Sequence, residues 1–239
     1  MKFEALFGKK KPMIGMIHCG SLKHTPVLKL AQQEIEIYLA HGVFPLVENY
    51  FGSVKDCEAV LSWLQREHGD SIYGVNILGD RKAAFELAGK YGASFVQIDS
   101  VCGHLPAKED EIHADRLQDL REQTDVVLLG GVRFKYQPVL SGRSLEEDLR
   151  LGAERCDAIV CTGEGTGIPT PIGKVLEFKA VLGDFPVIVG AGVTLATVKE
   201  TFEVGDGAIV GSWFKAGHMA QNDVDPDFVE QMVSARNDS

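Results

Sequence analysis

Short apolar, β-branched runs alternate with longer stretches of helical periodicity along the whole chain. Residues 13–18 predict a strand, and 27–41 a helix that places Leu28, Ala31, Ile35 and Leu39 on one stripe. A strand at 43–49 precedes a helix at 54–68, with Val60, Leu61 and Leu64 inward. The same alternation then predicts strands at 72–78, 95–99, 126–132, 158–162, 186–189 and 207–210. Between and after them come helices at 82–91, 109–122, 145–155, 172–182, 195–202 and 226–235.

Repeated strand-then-helix units with no linker or low-complexity segment predict a closed (β/α)8 TIM barrel. It forms a single domain over residues 12–239, preceded by an extension at 1–11. Gly42, Gly92 and Gly205 stand in the turns before strands, where a left-handed helix end suits glycine. An open doubly wound sheet would instead call for a Gly-x-Gly-x-x-Gly turn after the first strand. The chain there reads His18-Cys19-Gly20-Ser21-Leu22, so the barrel is preferred.

Composition narrows the function classes. With 239 residues, 45% of them apolar, and a formal net charge of −10, the chain suits a globular protein and not a polyanion binder, so nucleic acid is excluded as a partner. Lys9, Lys10 and Lys11 form one short basic run, read as a solvated turn. No apolar stretch reaches the roughly 18 residues of a membrane span, and no signal peptide is evident, so a cytosolic location is expected. The five cysteines (Cys19, Cys57, Cys102, Cys156 and Cys161) form no Cys-x-x-Cys pair and are read as reduced thiols.

In this fold the chemistry sits where strands run into the loops that follow them. The polar residues there are His18, Glu48 with Asn49, Asn76, Asp99, Arg133 with Lys135, and Thr162 with Glu164. Glycines mark three of the loops. Gly190, Gly192 and Thr194 follow the seventh strand, and Gly211 and Ser212 the eighth, where backbone N–H groups can approach a phosphate closely. Trp213 to Ala216 suits the short extra helical turn of such a site. Thr162, Gly163, Gly165, Thr166 and Gly167, followed by Pro169, form a third loop able to wrap a ligand. The alternative for all these glycines is tight packing between strands and helices.

Glu48 and Asp99 are the candidate general bases, and His18 a candidate acid, base or carbonyl polariser. Asn76 would orient a substrate oxygen, and Lys135 would bind an anion or act as an amine nucleophile. His18, Glu48, Asp99 and His104, with Cys19 or Cys102, could surround a metal. No His-x-His or His-Glu-x-x-His spacing supports that, so no metal and no cofactor are expected. His24, His41, His68, His113 and His218 read as surface or helix-terminus residues.

Several segments together resemble the BtpA family, also called the BtpA/SgcQ family. They are residues 13–18, Val47-Glu48-Asn49-Tyr50-Phe51-Gly52, residues 74–78, 162–167 with Pro169-Thr170, 189–194 and 206–212. The likeness runs from about Pro12 to Arg236. It implies a barrel of the ribulose-phosphate-binding type and two divergent functions. One member is associated with photosystem I biogenesis in thylakoid membranes, while others look like cytosolic enzymes encoded with sugar-uptake and sugar-phosphate genes. The chain departs from the pattern at its fifth strand, where Gly131 and Tyr136 stand in place of a usual aspartate and histidine. Asp99 replaces a usual asparagine.

The leading expectation is an enzyme acting on a small phosphorylated metabolite by isomerase, epimerase or aldolase/lyase chemistry. A non-catalytic assembly factor for a membrane complex is the alternative. The chain has no integral membrane segment in either case, and self-association into a homo-oligomer is compatible with both.

Overall fold

A computed structural model describes residues 2–8, 10–20 and 25–237. Lys9 of the basic run and His24 lie outside the described residues.

Eight parallel strands close on themselves in chain order: β1 (Met13–His18), β2 (Phe44–Glu48), β3 (Gly74–Asn76), β4 (Phe95–Cys102), β5 (Val127–Val132), β6 (Ala158–Cys161), β7 (Val187–Val189) and β8 (Gly207–Val210). Helix α1 (Lys2–Phe7) precedes the barrel. Helices α2 (Val27–Ala40), α3 (Val54–His68), α4 (Arg81–Tyr91), α5 (Ala107–Glu122), α6 (Leu145–Arg155), α7 (Ile172–Leu182) and α8 (Val198–Val204) fill the crossovers, and α9 (Pro226–Asn237) follows β8. Local chemistry sets several helix starts. Ser53 with Asp56 and Ser144 with Glu147 form reciprocal capping boxes, and Asp80 caps α4 by accepting from the Ala83 N–H.

Side chains alternate across each strand, so every second residue enters the barrel. Ile14, Met16, Leu46, Leu129, Val160, Ile188 and Ile209 fill the interior, while Ile17, Val47, Val75, Val96 and Leu128 pack outward against the helices. The same alternation carries His18, Glu48, Asn76, Asp99 and Gly131 into the barrel's carboxyl-terminal mouth. At the opposite end α1 seals the interior. Phe3 and Phe7 are buried there, and the Phe7 ring meets Phe44 and Phe95 edge-on at 5.3 and 5.7 Å.

Strand β4 runs three residues past its expected end at Asp99, and its pairing with β5 shifts register between Ile98 and Cys102. That irregularity brings the Asp99 backbone against β5. A Cβ on Gly131 would stand 1.9 Å from the Asp99 carbonyl oxygen and 2.5 Å from the Phe134 ring, so no side chain fits. Strand β3 spans only three residues, and α8 begins at Val198, after a turn closed by Thr197 on Thr194.

Candidate functional site

A cavity of about 350 Å³ opens at the carboxyl end of the barrel. His18, Glu48, Asp99, Lys135, Thr166, Gly167, Gly190, Gly192, Gly211 and Ser212 border it, all of them singled out from the sequence. Met16 and Ile209 lie on its floor side, and Phe134 folds in from the loop after β5.

The carboxyl groups are tied together from behind. Asn76 is buried and donates through Nδ2 to Glu48 Oε1 at 2.9 Å and to Asp99 Oδ1 at 3.2 Å. Gln97 Nε2 adds a bond to Asp99 Oδ1 at 3.3 Å. Burial and, second, the Asp99 charge push the Glu48 carboxyl up to about 8, so at neutral pH it holds its proton. Burial raises Asp99 as well, opposed by the Asn76 and Gln97 bonds and the Lys135 charge.

His18 Nδ1 lies 2.8 Å from the carbonyl oxygen of Ala220. A carbonyl only accepts, so this ring nitrogen carries the proton and Nε2 is bare. Nε2 faces Glu48 Oε2 at 3.7 Å. Burial and, next, the Lys215 charge lower His18 to about 3. Lys215 itself is buried beneath the β8 loop, held by both oxygens of Glu34 on α2 at 2.6 and 2.7 Å. Glu34 Oε1 also accepts from the Val224 N–H, which fastens the segment carrying Ala220 over the end of β1.

The Lys135 ammonium donates to Thr166 Oγ1 at 3.3 Å and overhangs the mouth. Its backbone N–H donates to Thr162 Oγ1, which places Thr162 behind the wall and not on it. Gly163 and Gly165 do not border the cavity either; a Cβ on Gly163 would press on the Pro169 carbonyl oxygen at 2.9 Å. Gly192 is left-handed (φ 64°), and a Cβ there would stand 2.1 Å from the Ile168 carbonyl oxygen, so the loops after β6 and β7 meet through it. The N–H groups of Ala191 and Gly192 donate to no other group among the described residues. Gly211 has room for a Cβ, with Met16 at 3.5 Å, and Ser212–Phe214 form the short helical turn expected after β8.

Other strand-end residues serve the scaffold. Arg133 turns outward to Asp148 at 2.9 Å, Asn49 accepts from the Leu78 N–H at 2.7 Å, and Glu164 is exposed outside the cavity. All five cysteines are free and buried. Among the described residues no group of three or more His, Cys, Asp or Glu side chains could hold a metal ion, and no helix is long and apolar enough to cross a membrane.

The sequence reading missed Gln97, Tyr50, Tyr136 and Gln137 on the cavity wall. Gln97 was legible in principle, because it stands two residues before Asp99 on the same strand face. His113 is a correction. It is buried, 5% exposed, on the inner side of α5 and not at a surface.

A model of the BtpA family matches residues 9–238. An uncharacterised protein of Thermococcus kodakarensis is 26% identical, the alignment covering 94% of this chain and 95% of that one. Among solved structures, a native KDPGal structure superposes with a TM-score of 0.64 at 14% identity, covering 95% of this chain and 93% of that one. Orotidine 5'-phosphate decarboxylase from Pyrococcus horikoshii superposes with a TM-score of 0.63 at 14% identity, covering 94% and 99%. At that identity the structural likeness speaks for the barrel alone.

Proposed function

The chain belongs to the BtpA family, and from that premise we propose that it is an enzyme moving protons on a small phosphorylated substrate, as an isomerase, epimerase or carbon–carbon lyase. The observation that carries the proposal is the pair of carboxyl groups joined through Asn76, one of them held protonated, on the wall of the cavity that the β6, β7 and β8 loops border. Two carboxyls so close do not both ionise readily, and their environments divide the roles.

In this reading Asp99, supported by three cationic or amide partners, is the base that takes a proton from carbon next to a carbonyl. Glu48 is the acid that protonates the carbonyl oxygen as charge develops there. His18 is neutral with its proton committed to Ala220, which makes it an acceptor for a substrate hydroxyl and shifts the acid role from His18 to Glu48. Lys135 supplies positive charge above the mouth, suited to the enediolate or to substrate phosphate. The phosphate itself would take the free amides of Ala191 and Gly192, with Thr166, Gly167, Gly211 and Ser212 around it. A phosphorylated substrate is also named for orotidine 5'-phosphate decarboxylase on the same fold.

A thermal-shift screen of phosphorylated metabolites tests this, because a ligand that binds only the folded state raises the melting temperature. Hits should exchange a carbon-bound proton in deuterated water, and Asp99→Asn should abolish the exchange while leaving binding. A screen without hits, or hits unaffected by Ser212→Asp, would overturn the reading. Ser212→Asp places a negative charge at the proposed phosphate, whereas a valine at Gly192 would distort the loop by itself.

A further inference from the structure

A second, smaller cavity of about 160 Å³ lies beside the first, between the β3 and β4 loops and the starts of α4 and α5. The two share Gly79, Asp99 and Gln137 on their walls, so the Asp99 carboxyl stands between them. The catalytic roles argued above use nothing in this side cavity beyond Asp99 and Asn76.

Three residues lining it carry a buried polar atom that finds no partner among the described residues: Ser100 Oγ, His104 Nδ1 and His113 Nε2. Ser100 and His113 are 6% and 5% exposed. Orphaned polar atoms at such depth are destabilising unless something binds them. Arg81 lines the same cavity and donates through Nη1 to His113 Nδ1. A guanidinium only donates, so His113 holds its own proton on Nε2, the orphaned atom. The His104 ring stands edge-on to His113 with centroids 4.9 Å apart.

Arg81 is half-buried and, among the described residues, has no carboxylate within ion-pair distance. Burial and the neighbouring Arg116 both push its pKa down, the mark of a cation whose counter-charge is not supplied by the protein. Of the other arginines nearby, Arg143 and Arg155 both bind Asp110, and Arg116 is exposed and outside this cavity's lining. Asp80, also on the wall, turns its carboxylate to the Ala83 N–H.

A half-buried guanidinium, an unpartnered imidazole N–H and an unpartnered serine hydroxyl, all on residues that line one small cavity, are a set of donors awaiting acceptors. We propose that this side cavity binds a second anionic group of the substrate, a carboxylate or a phosphate, so that the reacting carbons lie over Asp99 between two anchored ends. The proposal rests on the reading of the mouth as a phosphorylated-substrate site and specifies its substrate class: a sugar phosphate acid or a sugar bisphosphate.

Titration of the full-length protein with inorganic phosphate, followed by calorimetry, separates the two statements. The wild type should bind two phosphates per chain. Arg81→Gln should remove one site, Ser100→Ala should weaken that same site about tenfold, and Ser212→Asp should remove the other. Melting temperatures close to the wild type's would show that each variant is folded, and Ser100→Ala reports on the side cavity if Arg81→Gln does not fold. Phosphate binding unchanged by both Arg81→Gln and Ser100→Ala overturns the second-anion site and leaves the mouth reading standing. A single site lost with Arg81→Gln and untouched by Ser212→Asp overturns the mouth phosphate instead.

Discussion

His18 Nε2 faces Glu48 Oε2 at 3.7 Å with both groups uncharged, the imidazole because burial and the Lys215 charge keep off a second proton and the carboxyl because it is buried beside Asp99. The two shifts act oppositely on stability. Glu48 binds its proton more tightly folded (about 8) than at its ordinary value of 4.5, so unfolding releases a proton in that window and stability falls as pH rises through it. His18 goes from 6.5 down to about 3, so the unfolded state binds the extra proton and stability rises with pH across that window. Between pH 4.5 and 6.5 the Glu48 and His18 slopes offset each other, and His113, lowered by burial from 6.5 to about 4, adds a rise; from 6.5 to 8 both histidine slopes are spent and the Glu48 slope remains. The wild type should lose about 2 kcal/mol over that last interval, seen as a melting temperature falling by roughly 4–8 °C. Glu48→Gln should flatten the decline, and an equal decline in the variant would refute the assignment.

Catalysis should follow the same proton. With Glu48 as acid, kcat against pH should drop on an alkaline limb near 8, where the carboxyl ionises. Glu48→Gln should remove that limb together with most of the rate, and Asp99→Asn should lower kcat by about 10²–10⁴ with KM little changed. Steady-state kinetics on a substrate found by the thermal screen would decide it. An alkaline limb that survives in Glu48→Gln would move the acid role elsewhere.

The Lys215–Glu34 pair anchors the segment that carries Ala220, so it acts on His18 from a distance. Lys215→Met leaves a buried carboxylate without its cation and should cost about 3–5 kcal/mol. Adding Glu34→Gln keeps an acceptor for the Val224 N–H and removes the stranded charge, so the double variant should recover most of the loss. Denaturant unfolding of the wild type, the single and the double variant measures this; additive losses would show that the pair is not coupled.

Much of the mouth was legible because period-two alternation is rigid. Once residues 13–18 are a strand with Ile14 and Met16 inside, His18 must point in at its end, and the same rule places Glu48, Asn76 and Asp99. What alternation cannot supply is the path of loops. Thr162 lies behind the wall because the backbone of Lys135 uses its hydroxyl, and Arg133 turns away because Asp148 waits on α6. Both facts depend on a partner many residues distant. His113 was misjudged for a related reason. Helix α5 has a polar sequence, with Asp110 and His113 on its buried side satisfied or faced by arginines from α4 and α6, so its inward face does not read as apolar.

The first helix gives the remaining prediction. Residues 1–11 read as an extension, yet Phe3 and Phe7 close the interior at the end of the barrel opposite the cavity, with Phe7 wedged between Phe44 and Phe95. Truncating a buried phenylalanine removes its transfer free energy and leaves a cavity behind it, a cost of about 3–5 kcal/mol. Rigid strands do not collapse into such a gap, so Phe7→Ala should fall toward the upper part of that range and lower the melting temperature by roughly 6–20 °C. The mouth lies at the far end of the same strands, so phosphate binding by the folded variant should match the wild type. Lys2→Ala, whose Nζ reaches the exposed Asp125 at 3.4 Å, serves as the control and should change the melting temperature little. A Phe7→Ala protein as stable as the Lys2→Ala control would mean that the barrel closes its amino end without α1.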